Sequence, residues 1–206
     1  MNESKEKILS IALFYFLKKP YTEVTMSEIL EASGLSKGGF YHHFESKEIL
    51  YREVIETFVI GTFMKEYGHF KENPYDLPFC DFVPFYMKST MDHLIELVED
   101  RLGKTKLEMG DVNLYLVMFD MMKHYAGFDK ILDKMHKSEV EMFQILIDRA
   151  KTKGEIRMDI DSLAIANHVH TLMHGILVLS IFDEGLDKLE EKIRESFNTF
   201  YQFIKN

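Results

Sequence analysis

All four prolines of this 206-residue chain, Pro20, Pro74, Pro78 and Pro84, fall within its first 84 residues. From Phe85 to Asn206 every residue keeps its backbone N–H, so nothing there removes a donor from a helical ladder. In that stretch apolar residues recur at intervals of three and four: Leu94, Leu97, Val98 and Leu102; then Met142, Ile145 and Leu146; then Ile193, Phe197, Phe200 and Ile204. Period-two alternation bounded by Asn-Gly or Asp-Gly turns is not evident, and the chain reads as all-α. With 46% apolar and 29% charged residues it has a globular composition, and its length suits one domain or two small ones. One cysteine cannot form an internal disulfide, which points to a reducing, cytoplasmic setting.

Start and stop signals divide the chain into about nine helices. The first is expected over Glu3–Lys18, closed by Lys18-Lys19-Pro20. Thr25-Met26-Ser27-Glu28 has the form of a capping box opening a short helix that ends near Ser33, with Gly34 suited to a left-handed stop. Ser36 can cap a second short helix to about His43, and Ser46 a long one over Lys47–His69. Asn73 to Pro78 is the only sustained loop signal. Beyond it, helices are expected near Phe82–Leu102, Val112–Tyr125, Asp129–Lys153, Ser162–Phe182 and Leu186–Lys205, separated by Gly103, Gly110, Gly127, Gly154 and Gly185.

Ser162–Phe182 contains no Asp, Glu, Lys or Arg and is long enough to span a bilayer. It also carries Asn167, His168, His170 and His174, which are costly in lipid, and it lacks Lys or Arg anchors. A helix buried nearly all round, part of it at a subunit interface, is the expectation, with no membrane partner.

The segment Thr25–Lys47 places two short helices around the turn Ser33-Gly34-Leu35-Ser36, as in a helix-turn-helix. Ile29, Ala32, Leu35, Phe40 and Phe44 are the expected miniature core. That leaves Thr25, Ser36, Lys37, Gly38, Gly39, Tyr41, His42, His43 and Lys47 as candidate DNA-binding residues. Ser36 and the free amides of a helix start can hold a phosphate. Gly38 and Gly39 weaken a helix by roughly 1 kcal/mol each relative to alanine, and close approach of the backbone to base edges is a reason to keep them. Tyr41 and the histidines can donate to phosphates or bases, and Lys37 and Lys47 supply charge.

The first fifty residues resemble the TetR family of bacterial transcriptional regulators. The resemblance lies in Ala12-Leu13 with Phe16, then Tyr21, Thr25, Ile29, Gly34, Ser36 and Gly38, and finally Tyr41, Phe44 and Lys47. Two positions depart from the family pattern: Pro20 stands where glycine is usual, and Gly39 replaces the usual threonine, removing a hydroxyl from the reader helix. The resemblance implies a three-helix DNA-binding head over residues 1–50 and a helical ligand-binding and dimerisation domain over 51–206. It also implies a homodimer through about 162–182 and 186–205, with two reader helices about one DNA turn (about 34–36 Å) apart on a palindromic operator. A ligand-responsive regulator, most simply a repressor, follows as the expected function, its small-molecule effector acting through the long helix Lys47–His69.

For that effector, Phe82, Phe85, Tyr86, Tyr115, Met118, Phe119, Met122, His170 and His174 are the candidate pocket residues, adaptable aromatic and methionine side chains with two polar groups. No nucleophile–base arrangement is visible, so no catalytic residue is assigned and no enzyme is expected; no cofactor or metal is expected either. Gly103-Lys104-Thr105 imitates a phosphate loop but lacks its leading glycine, and Glu66/His69 and Asp133/His136 have carboxylate–histidine spacing without the further glutamates of a di-iron bundle. Cys80 beside Asp81 lacks a basic helper and reads as an inert thiol. The net charge of -9 opposes DNA binding at first sight. Residues 1–52, however, hold seven Lys/Arg and seven Asp/Glu, so the whole excess of acid lies in residues 53–206. The rival reading is an all-helical small-molecule binding or scaffold protein whose head does not touch DNA.

Overall fold

Helices form every regular element among the described residues, apart from one isolated antiparallel bridge between Ile156 and Lys205. The computed structural model describes residues 3–72, 77–102, 114–182 and 188–206. Within these it describes all side chains except those of residues 62, 63, 66, 69, 71, 72, 91, 93–102, 114, 115, 118, 181 and 182. The loop expected at 73–76, the Gly103-Lys104-Thr105 segment, the Leu94–Leu102 stripe, the Glu66/His69 pair and the breaks at Gly110 and Gly185 lie outside the described residues. The elements are α1 (Glu3–Lys18), α2 (Met26–Ser33), α3 (Lys37–His43), α4 (Lys47–Val54), a π-helical segment (Ile55–Ile60), α5 (Gly61–Glu72), α6 (Phe79–Leu102), α7 (Leu114–His124), α8 (Phe128–Thr152), α9 (Ser162–Phe182) and α10 (Leu189–Ile204).

Where one long α-helix was expected from Lys47, the ladder widens at its middle. Gly61 N–H reaches back five residues to the Glu56 carbonyl, and a Cβ on Gly61 would stand 3.1 Å from that oxygen. Glycine therefore permits the wide turn at this point. The helix expected from Phe82 begins three residues earlier, at Phe79. Its first amide donates to Glu155 Oε2 at 3.0 Å, a cap supplied by a residue 76 positions away that no local signal announces.

The chain packs as two units, Met1–Phe63 with Asp92–Asp129 and Met64–Met91 with Lys130–Asn206. In the first, α1 lies against α2, α4 and α7. Its stripe Ile8, Leu9, Ala12, Leu13, Phe16 and Leu17 is buried together with Ile29, Phe40, Phe44, Leu50, Tyr51 and Val54. The expected miniature core is corrected in one respect: Ala32 is exposed and Leu35 only half-buried, because α2 turns Ile29 and Ser33 inward. Ser33 tolerates burial because its hydroxyl donates to the Leu30 carbonyl at 2.7 Å. Helix α7 belongs to this unit. Asp120 Oδ2 accepts from the Tyr21 amide at 2.6 Å, the Tyr51 hydroxyl donates to the Val117 carbonyl at 3.3 Å, and the Tyr21 and His124 rings lie 4.5 Å apart. A boundary drawn in chain order at residue 50 thus runs through the middle of one packed unit.

In the second unit, Phe79, Phe82, Val83 and Tyr86 of α6 are buried, as are Met142, Phe143, Ile147 and Ala150 of α8. Helix α10 turns in Leu189, Ile193, Phe197 and Ile204. The C-terminal residues are tied to the turn after α8, where Arg157 N–H donates to Ile204 O at 2.9 Å and Asn206 N–H to Glu155 O at 3.0 Å. Helix α9 corrects the expectation of all-round burial. Ile165, Ala166, Val169, Met173 and Ser180 are buried, but Leu163 and Leu179 are exposed and Leu172, Ile176, Leu177 and Val178 only partly covered. Ser162–Ser180 is the one helix among the described residues long and apolar enough, by composition, to cross a membrane.

Candidate nucleic-acid interface

The helix-turn-helix is built from caps. Thr25 Oγ1 accepts from the Glu28 amide at 3.2 Å while Glu28 Oε2 accepts from the Thr25 amide at 2.9 Å, the reciprocal box expected from the sequence. Gly34 closes α2 at φ 65°, a left-handed geometry that glycine adopts without strain. Ser36 then opens α3 by accepting from Gly39 N–H at 3.2 Å, and Ser46 opens α4 by accepting from Ile49 N–H at 3.2 Å. Phe40 is the single buried residue of α3 and seats it on the core. The opposite face carries Lys37, Gly38, Gly39 and His42 in solvent, with Tyr41 and His43 partly exposed, and no acidic residue.

The candidate DNA-binding residues therefore divide by what the fold asks of them. Lys37, Gly38, Tyr41, His42 and His43 form one accessible face. Thr25 is spent on its capping box and Ser36 on capping α3. Lys47 was expected to supply charge to a phosphate. It is partly buried instead, its ammonium donating to the Tyr21 and Val24 carbonyls at 2.8 Å each and lying 4.3 Å from the Tyr21 ring centre. The two glycines separate as well. A Cβ on Gly39 would stand 3.2 Å from the capping Ser36 hydroxyl, an internal reason for a small residue. A Cβ on Gly38 would meet nothing within 4 Å, and Gly38 has no positive φ. Nothing among the described residues calls for glycine there.

Two acids of this unit are paired with lysines. Lys5 meets Glu53 at 2.5 Å and Lys19 meets Glu28 at 2.8 Å. The Lys19 hydrogen bond, with those of Thr25, pulls the Glu28 carboxyl from 4.5 to about 2. A carboxyl lowered in the folded state contributes stability that is complete above the unfolded value and is lost as pH falls toward the folded one. The melting temperature of the head is accordingly expected to fall between pH 5 and 2 more steeply in the parent than in Glu28→Gln, as followed by circular dichroism; equal slopes would remove Glu28 from the account.

The pocket candidates scatter. Phe82 and Tyr86 are core residues, and with Phe85 they ring Phe70 at centroid distances of 5.0 to 6.4 Å. Phe119 and Met122, on α7 in the other unit, are 64% and 62% exposed. The side chains of Tyr115 and Met118 lie outside the described residues. His170 and His174 converge on Glu139 of α8, with His174 Nε2 2.9 Å and His170 Nε2 3.2 Å from Glu139 Oε2. Glu139 is 3% exposed and its other oxygen accepts from the Tyr86 hydroxyl at 2.8 Å. Burial opposes its ionisation, but the hydrogen bonds from His174 and Tyr86 outweigh this and hold the carboxyl below its ordinary value. Burial pushes His170 down to about 4, leaving the ring neutral at pH 7, and also lowers His136. A cleft of about 490 Å³ runs beside the cluster, lined in part by His136, Val140, Gln144, Leu163, Asn167 and His170. Residue spacing alone does not single out Glu139. The available signal was a carboxylate on the apolar stripe that continues as Met142, Phe143, Ile147 and Ala150.

Residues 8–54 match the family model of bacterial regulatory proteins, tetR family. The N-terminal segment is thus similar to the DNA-binding segment of that family. An uncharacterised HTH-type transcriptional regulator of Bacillus subtilis, YerO, is 40% identical over 73 residues, covering 35% of this chain and 25% of that one. The first curated relatives are thus matched over only about a quarter of their length. Among solved structures, a transcriptional regulator from Saccharomonospora viridis in complex with choline superposes with a TM-score of 0.70 at 15% identity over the full length of both chains. The SmeT–triclosan complex superposes at 0.66 and 19% identity, covering 98% of this chain and 92% of that one. At such identities these two likenesses speak for the fold alone.

Proposed function

We propose that the chain is a ligand-responsive transcriptional regulator that binds a palindromic DNA operator as a homodimer through α3, acting as a repressor. The observation that carries this reading is Gly38. It sits mid-helix on an exposed face at a cost of roughly 1 kcal/mol relative to alanine, with open space around it and no internal reason for glycine. A partner that needs the helix backbone close to it supplies the reason, and a major groove admits a helix in this way. Lys37, Tyr41, His42 and His43 surround the bare backbone with donors.

Residues 1–50 act in this reading as the DNA-binding module and 51–206 as the ligand-binding and dimerisation part, working in the cytoplasm. The partly uncovered apolar face of α9, with Gly175 exposed and free of neighbours at its Cβ position, supports pairing with a second copy through α9 and α10. Relatives by fold that hold choline or triclosan support a small-molecule effector.

The test is fluorescence anisotropy with promoter fragments from the neighbouring genes at several salt concentrations. Gly38→Leu is expected to weaken binding at least about tenfold. Gly38→Ala is expected to raise the stability of the head by up to about 1 kcal/mol, since alanine is the better helix former. Absence of salt-sensitive binding to any fragment, or equal binding by Gly38→Leu, would favour the helical binding protein that never touches DNA.

A further inference from the structure

We propose that His136, Glu139, His170 and His174 form a binding site for a divalent transition ion of the zinc type between α8 and α9. This rests on geometry within one packed unit and does not depend on the DNA-binding reading.

The four residues come as two pairs, His136 and Glu139 three apart on α8 and His170 and His174 four apart on α9. Each spacing puts both side chains on one helix face. The coordinating nitrogens of the three histidines all lie within 4.8 Å of one another. In a tetrahedral zinc site with bonds of about 2.0–2.1 Å, neighbouring ligand atoms stand roughly 3.3 Å apart. The separations of Glu139 Oε2 from the two α9 nitrogens, 2.9 and 3.2 Å, already approach this value. A modest swing of His136, which is only partly buried, completes the set.

The surroundings supply what such a site needs. The Tyr86 hydroxyl holds Glu139 Oε1 and leaves Oε2 directed at the imidazoles, the kind of outer support that fixes a ligand carboxylate. The adjoining cleft gives a route in from solvent, and His136 and His170 line it. A purely hydrogen-bonded cluster accounts for less. His174 and Tyr86 satisfy Glu139, but His170 Nε2 is buried without a hydrogen-bond partner among the described residues, its approach to Glu139 being short yet badly angled. Glu139 has no Lys or Arg ion pair among the described residues, so a buried negative charge stands beside nitrogen lone pairs. A divalent cation answers both.

The full-length, untagged chain is stripped with a chelator, dialysed, and titrated with Zn²⁺ by calorimetry and with Co²⁺ by visible absorption. The expected result is saturation at one ion per chain, a four-coordinate Co²⁺ band, and a melting temperature raised by Zn²⁺ and restored by chelator. His136→Gln and His170→Gln are each expected to lower affinity at least about tenfold, with helical circular dichroism unchanged. The partly exposed His136 makes its variant the safer one to fold. No saturable uptake by the parent chain, or uptake unchanged in both variants, would overturn the site.

Discussion

Phe40→Ala is expected to destabilise the N-terminal unit by about 3–5 kcal/mol, the scale for deleting a fully buried phenyl ring. Phe40 is wholly buried and is the single residue by which the seven-residue α3 enters the core. A helix of that length does not persist in water on propensity alone. Two glycines lower this propensity further. Loss of the ring removes the burial that holds α3 in place, so this helix should loosen before the rest of the unit. Urea unfolding followed by circular dichroism reads the global loss, and amide exchange over residues 37–43 reads the local one. A loss below about 1 kcal/mol, typical of a surface substitution, would mean that α3 is anchored elsewhere.

Lys47→Met should cost about 2–3 kcal/mol, on the scale of charge-assisted hydrogen bonds discounted for partial solvent access. The substitution keeps the alkyl packing and deletes the ammonium. Two carbonyls, of Tyr21 and Val24, then lose their donor, and the Tyr21 ring loses its cation. These carbonyls belong to the turn between α1 and α2, which would be freed to move. Lys47→Arg should rescue poorly, because a planar guanidinium does not reproduce a compact ammonium seated between two carbonyls and a ring. A lysine engaged with phosphate behaves otherwise: its loss leaves the melting temperature unchanged and lowers the salt slope of DNA binding by about one unit. Thermal unfolding without DNA therefore separates the two roles.

The contrast between Lys37 and Lys47 shows how far the residues alone could be read. Both are lysines close to the reader helix, and the sequence offers no reason to treat them differently. Only the fold brings Lys47 under the Tyr21–Val24 carbonyls, more than twenty residues away, while Lys37 stays in solvent. The same holds for the histidines. His136 pairs by spacing with Asp133, but Asp133 is exposed and bonded to Lys137, and the rings beside His136 are those of His170 and His174. The aromatic pocket candidates illustrate the opposite error. Bulk and adaptability suit a cavity and a packed core equally, and Phe82 and Tyr86 went to the core.

Legible from residue order were the all-α class, the bounds of α1 to α3, the capping box at Thr25, the left-handed stop at Gly34 and the solvent-facing side of α3. Each of these is written in spacings of three or four residues or in a cap that bonds its own helix, so the physics is local. Helix packing decided the rest: α7 beside the head, Glu155 capping α6, Lys47 as a structural clamp, and Glu139 against His170 and His174. Those contacts join residues 20 to about 100 positions apart. They exist only once apolar faces have been buried against one another, and no local periodicity encodes which faces meet.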